Sequence, residues 1–101
     1  MNGRVITVGG VFYGASKGAV RMLTKGWARD LGPRGVTVNV VQPGPIDTDL
    51  NPVQGPFADT LTALTRYGKP EDVGELAAFL AGPAAGNTTG AALTTDGGFT
   101  A

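Results

Sequence analysis

Continuous apolar runs alternate along this chain with stretches whose apolar residues recur every third or fourth position. Arg4 to Val8 is a short β-branched run stopped by Gly9-Gly10, the pattern of a strand covered on both faces. From about Phe12 to Leu31 the spacing becomes helical. Phe12, Val20, Leu23, Trp27 and Leu31, widened by Ala15, Ala19 and Met22, predict one long helix burying that stripe. Gly32-Pro33 ends it, since Gly takes a left-handed cap and Pro cannot continue the helix. Val36 to Val41 is a second buried strand, which Gln42-Pro43-Gly44-Pro45 is expected to terminate.

Residues Ile46 to Gly55 read as an irregular loop and Pro56 to Thr65 as a short helix of modest propensity. Lys69-Pro70-Glu71-Asp72 opens the next helix, with Pro tolerated in the first turn and two acids at the positive end of the helix dipole. Val73, Leu76, Ala77 and Leu80 form its buried stripe and Gly82-Pro83 its stop. Ala84 to Gly90 is a loop, and Ala91 to Thr95 a third short strand before Asp96-Gly97-Gly98. The order strand, helix, strand, helix, strand, with connections too long for hairpins, predicts an α/β fold with a parallel sheet of about three strands and crossover helices.

With 101 residues, 42% of them hydrophobic, the chain builds one core and leaves no room for a separate substrate domain. Folding at this size hides only about 60 to 68% of the unfolded surface, and a thin sheet exposes its edges, so association with another chain is expected. Eight basic residues balance eight acidic ones, which argues against a general nucleic-acid or membrane-surface partner. The absence of Cys and His removes disulfides, thiolate chemistry, Ser-His-Asp triads and nearly every zinc geometry. Asp47 and Asp49, without further oxygen ligands, read as turn or helix caps, and no metal is expected. Met1-Asn2-Gly3-Arg4 opens no signal peptide and no apolar run spans a membrane, so a cytoplasmic location is expected.

Catalysis must then use Tyr, Lys, Ser, Thr, Asp or Glu. Tyr13 and Lys17 stand at i and i+4 on the opening turns of the long helix, so both project from one face. An ammonium beside a phenol favours phenolate and makes Tyr a usable acid/base nearer neutrality. Taken alone the pair is also an ordinary surface contact. Pro43-Gly44-Pro45 makes a rigid bend in which Gly lets backbone approach a flat ring closely, and a purely structural reversal has the same signature.

Tyr13-Gly14-Ala15-Ser16-Lys17 continues into Gly18-Ala19-Val20. Further on come Gly35-Val36-Thr37-Val38-Asn39-Val40-Val41-Gln42-Pro43-Gly44-Pro45-Ile46-Asp47-Thr48 and Thr89-Gly90-Ala91-Ala92-Leu93-Thr94-Thr95-Asp96-Gly97-Gly98. In this order and spacing, over essentially the whole chain, they closely resemble the short-chain dehydrogenase/reductase family. The resemblance implies that residues 1–101 form a single truncated domain, a partial Rossmann fold corresponding to the family's carboxyl-terminal half. It implies NAD or NADP as cofactor and a small-molecule carbonyl or alcohol as substrate. Tyr13 matches the general acid/base, and Lys17 the residue that lowers the tyrosine pKa and bonds the nicotinamide ribose. Pro43, Gly44 and Ile46 match the segment walling the nicotinamide, with the Ile46 backbone facing its carboxamide, and Thr48 matches a hydroxyl contact to the cofactor.

The family's first half has no counterpart here, neither the glycine-rich pyrophosphate loop nor the residue that selects between cofactors. Where the family places a catalytic Ser, this strand ends in Gly9-Gly10, and Thr7 reads as a packed β-former. Gly9 to Gly14 fits neither phosphate-loop spacing, and Phe12 and Tyr13 would crowd a pyrophosphate. The row Lys17, Arg21, Lys25, Arg29 reads as a solvated helix face. Three expectations stand side by side: an NAD(P)-dependent oxidoreductase with very weak or no turnover alone, a non-catalytic homo-oligomeric assembly module, and one half of a split enzyme completed by a complementing half.

Overall fold

The computed structural model describes residues 3–8, 14–47 and 62–101. Strand β1 spans Gly3–Val8, helix α1 Gly14–Leu31, strand β2 Val36–Pro43, helix α2 Pro70–Ala81 and strand β3 Ala92–Thr95. The sheet order is β1-β2-β3, and both pairs are parallel, with Val5 opposite Val38, Val41 opposite both Val8 and Leu93, and Pro43 opposite Thr95. The α/β architecture expected from the sequence is the one observed.

Strand alternation sorts the side chains onto two faces. Ile6, Val41 and Leu93 share one face and pack with Val73, Leu76, Leu80 and Ala85 beneath α2. Val38 and Val40, fully buried, occupy the other, where α1 lies against β2 and buries Thr24 and Ala28. Both crossovers step the same way across the sheet while their helices lie on opposite faces, so the two connections have opposite hands, one of them against the usual right-handed rule.

The start of α2 closes as its acids suggest: Lys69 N–H donates to Asp72 Oδ2 at 2.8 Å and Asp72 N–H to the Lys69 carbonyl at 2.9 Å. After α1 the chain makes a 3-10 turn over Gly32–Arg34 that ends on Gly35 at φ 74°, a backbone angle that favours glycine. No helix among the described residues is long and apolar enough to cross a membrane.

Four expectations are corrected. Strand β2 does not stop at Val41; it runs through Gln42 and Pro43, paired with Thr94 and Thr95. Proline is tolerated there because Gly44 N–H is the group that bonds Thr95 O, so Pro43's missing donor falls on the side where β1 has already ended. The stripe of α1 is not wholly buried, since Met22, Leu23 and Trp27 are 68%, 52% and 47% exposed and small Thr24 and Ala28 meet the sheet instead. Thr62 to Thr65 make a turn rather than the end of a helix, with Thr65 at φ 56°; the rest of Pro56 to Thr65 lies outside the described residues. Pro83–Ala85, read as the helix stop and start of a loop, adds a 3-10 turn that buries Ala85 in the core.

Candidate functional site

The carboxyl ends of β2 and β3 converge on a bend built from Pro43 to Asp47. Gly44 is buried, and a Cβ added there would lie 2.5 Å from Asp96 Cβ and 2.7 Å from its Cα. Glycine is therefore required at 44 by the turn that follows β3, whatever else approaches it. Asp96 fixes that turn by accepting from Gly98 N–H at 2.8 Å and from the Thr100 N–H and hydroxyl at 3.0 and 2.6 Å. Gly98 sits at φ +87°, with room for no side chain because Ala63 Cβ would be 2.4 Å away.

A second strap crosses the bend from residues 62–68. Gly68 N–H donates to Pro45 O at 2.9 Å and Asp47 N–H to Gly68 O at 2.8 Å, an isolated parallel bridge that seats Ile46 Cδ1 over Gly68. In such a bridge the bonds belong to the residues flanking Ile46, so its own N–H and C=O point to the opposite side. Thr62, buried, closes the strap by donating its hydroxyl to Arg66 O and accepting from Arg66 N–H, both at 3.0 Å, while Leu64 N–H bonds Gly97 O at 2.9 Å. Leu64, Arg66, Gly68, Asp72, Thr95 and Gly97 line a hollow of about 110 Å³ beside it.

Of the residues singled out by sequence, Pro43, Gly44 and Ile46 form this bend. Lys17 lies on the opening turns of α1. That helix leaves the carboxyl end of β1 and delivers the chain to the amino end of β2, so topology assigns its start to the same end of the sheet as the bend. Tyr13, Thr48, Asp49 and the Gly9-Gly10 turn lie outside the described residues. Arg21, Lys25 and Arg29 are exposed, as a solvated face requires. The larger hollow, about 590 Å³ between Met22, Lys25, Gly26, Ala28, Arg29 and Thr89, lies along the later turns of α1 and does not include the bend.

Sequence reasoning missed the partners of the bend. Asp96-Gly97-Gly98 was visible as a turn signal, but nothing local said that it would fill the space beside Gly44. Gly68 carried no signal apart from being a glycine before a helix start.

Comparison with known proteins finds that a family model described as Enoyl-(Acyl carrier protein) reductase matches residues 1–100. The chain is 52% identical over 103 residues to the cyclic-di-GMP-binding biofilm dispersal mediator protein of Escherichia coli K12, covering 98% of this chain and 44% of the relative. A solved short-chain dehydrogenase/reductase from Serratia marcescens superposes with a TM-score of 0.88 at 49% identity, over 97% of this chain and 46% of that one. A short-chain dehydrogenase from Burkholderia cenocepacia, solved in complex with NADP, gives a TM-score of 0.86 at 43% identity, over 97% and 46%. The chain thus spans less than half the length of the proteins it matches.

Proposed function

The chain belongs to the short-chain dehydrogenase/reductase family, and from that premise we propose that it supplies the acid/base and nicotinamide-facing half of an NAD(P)-dependent oxidoreductase acting on a carbonyl or alcohol. The observation that carries this reading is the strapped bend. With Pro45 and Asp47 engaged by Gly68, the Ile46 N–H and C=O form a donor and an acceptor aimed to the other side, the complement of a primary carboxamide. Pro43, Gly44 and Ile46 would wall the nicotinamide, Lys17 would bond its ribose, and Thr48 would add a hydroxyl contact. Bound there, the cofactor supplies or accepts hydride. Tyr13 holds the proton that goes to the carbonyl oxygen in reduction, or takes the alcohol proton in oxidation, with the Lys17 ammonium favouring its phenolate.

The adenosine and pyrophosphate find no counterpart of the family's glycine-rich loop in this sequence. A positioned acid without a seated cofactor loses the proximity contribution to the rate, so very weak or no turnover is expected of the chain alone. The test is NADPH-dependent carbonyl reduction, measured for the chain alone and for the chain co-expressed with the amino-terminal segment of the Escherichia coli relative. Turnover by the pair that falls about 100-fold or more in Tyr13→Phe supports the reading. Turnover indifferent to that change removes it.

A second reading is favoured by the exposure of Leu23, Trp27 and Phe79, large apolar groups that a solitary chain leaves in water. In it the chain is an assembly module, covered either by its own copy or by a complementing half. Light scattering separates these from a lone monomer.

A further inference from the structure

Strand β2 buries two side-chain amides in different ways. Asn39, 1% exposed, is fully engaged: its Nδ2 donates to Thr88 O at 2.9 Å and its Oδ1 accepts from Ala91 N–H at 3.1 Å, which pins the loop before β3. Gln42 is 5% exposed, and no hydrogen bond joins its carboxamide to any described residue. Burying an amide without a partner is costly, so an unpaired one held at a fixed place points to a ligand that takes its bonds. Its position says which. Val41 belongs to the core beneath α2, so strand alternation turns Gln42 to the opposite face, with Val38 and Val40 under α1. On that face Val38 is level with Ala28, because Gly90 N–H bonds Val38 O at 2.7 Å and a Cβ on Gly90 would lie 3.5 Å from Ala28 Cβ. From Val38 to Gln42 the strand advances about 13 Å, a rise that a helix covers in about nine residues. Helix α1 runs back along the sheet, so the same step leads from Ala28 to Ala19 and sets Gln42 within one turn of Lys17. The unpaired amide thus stands at the carboxyl end of the sheet, between the start of α1 and the bend that follows Pro43.

We propose that Gln42 is a substrate-binding residue whose Nε2–H donates to the carbonyl oxygen that Tyr13 protonates. The inference rests on the oxidoreductase reading and adds a residue to it. A second donor at that oxygen has a place to fill, since the sequence has Gly9-Gly10 where the family's catalytic Ser stands. The cofactor's own carboxamide is matched in that reading by the Ile46 backbone, which leaves the substrate as the partner for a further amide. The chemistry suits an amide donor in both directions. In reduction, negative charge gathers on the carbonyl oxygen as hydride arrives, and a preorganised N–H held away from water stabilises it strongly. In oxidation the alcohol gives its proton to Tyr13 while its oxygen keeps a lone pair for the same N–H. An uncharged amide also leaves the Tyr13 phenol free of a competing acid.

The experiment has two arms. In the chain alone, Gln42→Met keeps the length of the side chain and removes the amide, and the urea midpoint is expected to stay the same or rise. A clearly lower midpoint would show the amide bonded within the chain and overturns the proposal. In the chain co-expressed with the amino-terminal segment of the Escherichia coli relative, Gln42→Met should lower kcat for NADPH-dependent carbonyl reduction about 100-fold while changing the KM for NADPH by no more than about threefold. Gln42→Glu supplies a signature that packing alone does not give: its activity relative to the parent should rise as the pH falls, because only the protonated carboxyl donates. Turnover that needs Tyr13 but is indifferent to Gln42→Met, or a Gln42→Glu profile parallel to that of the parent, overturns the assignment and leaves the oxidoreductase reading standing. A pair without turnover, or with turnover indifferent to Tyr13→Phe, removes that reading and the role of Gln42 with it.

Discussion

The two ends of interest in this molecule are finished to different degrees. At the bend after β2, Pro45, Asp47 and Gly68 are cross-bonded, Asp96 occupies the space a side chain at 44 would need, and the turn after β3 is tied through Thr100. Beside β1, Val5 and the α1 residues Leu23 and Trp27 are exposed, and among the described residues none pairs the outer edge of β1. The bend holds its shape through groups the chain itself provides. Beside β1 the described residues leave an apolar surface exposed to water.

If the contrast is right, changes at the bend destabilise the isolated chain and changes beside β1 do not. The largest effect is expected from Gly44→Ala, whose methyl group would collide with Asp96 Cβ and backbone; urea unfolding should show a loss of about 3 kcal/mol. Asp96→Ala removes the acceptor for Gly98 and Thr100 and should cost about 1–2 kcal/mol in the same measurement. Thr37→Val should act in the other direction. The buried Thr37 hydroxyl has no hydrogen-bond partner among the described residues, so a methyl group in its place should raise stability by up to about 1 kcal/mol. The smallest effect belongs to Trp27→Arg, within about 0.5 kcal/mol for the chain alone, because the side chain is half in water already. A loss of several kcal/mol there would mean that the indole is packed within the chain, and the contrast between the two regions would fail.

The alternation of strands and helices was legible because each buried element writes its period into the sequence: Val36 to Val41 as a continuous run, Val73, Leu76 and Leu80 as a helical stripe. The end of β2 was not, because whether a proline stops a strand depends on which neighbour its nitrogen faces, and that is a tertiary fact. The stripe of α1 misled in an instructive way. Leu23 and Trp27 have the spacing of core residues, but the fully buried positions among the described residues of α1 are Thr24 and Ala28. Periodicity records what a helix is built to bury, not which chain does the burying. In the candidate site, Pro43, Gly44 and Pro45 were legible as a bend from their residue types, and Ile46 only from the resemblance of its segment to the family. The role of Asp96 in demanding glycine at 44 depends on a contact across 52 positions and left no local trace. Tyr13, Lys17 and Thr48 rest on the resemblance of their motifs to the family.

The most direct test of the claim that this chain holds only the nicotinamide-facing half of a cofactor site is a calorimetric titration of NADPH and NADH into the purified chain. No saturable binding is predicted for the chain alone. Tight, saturable binding that Lys17→Ala abolishes would contradict the account, because it would show a complete cofactor seat within these 101 residues.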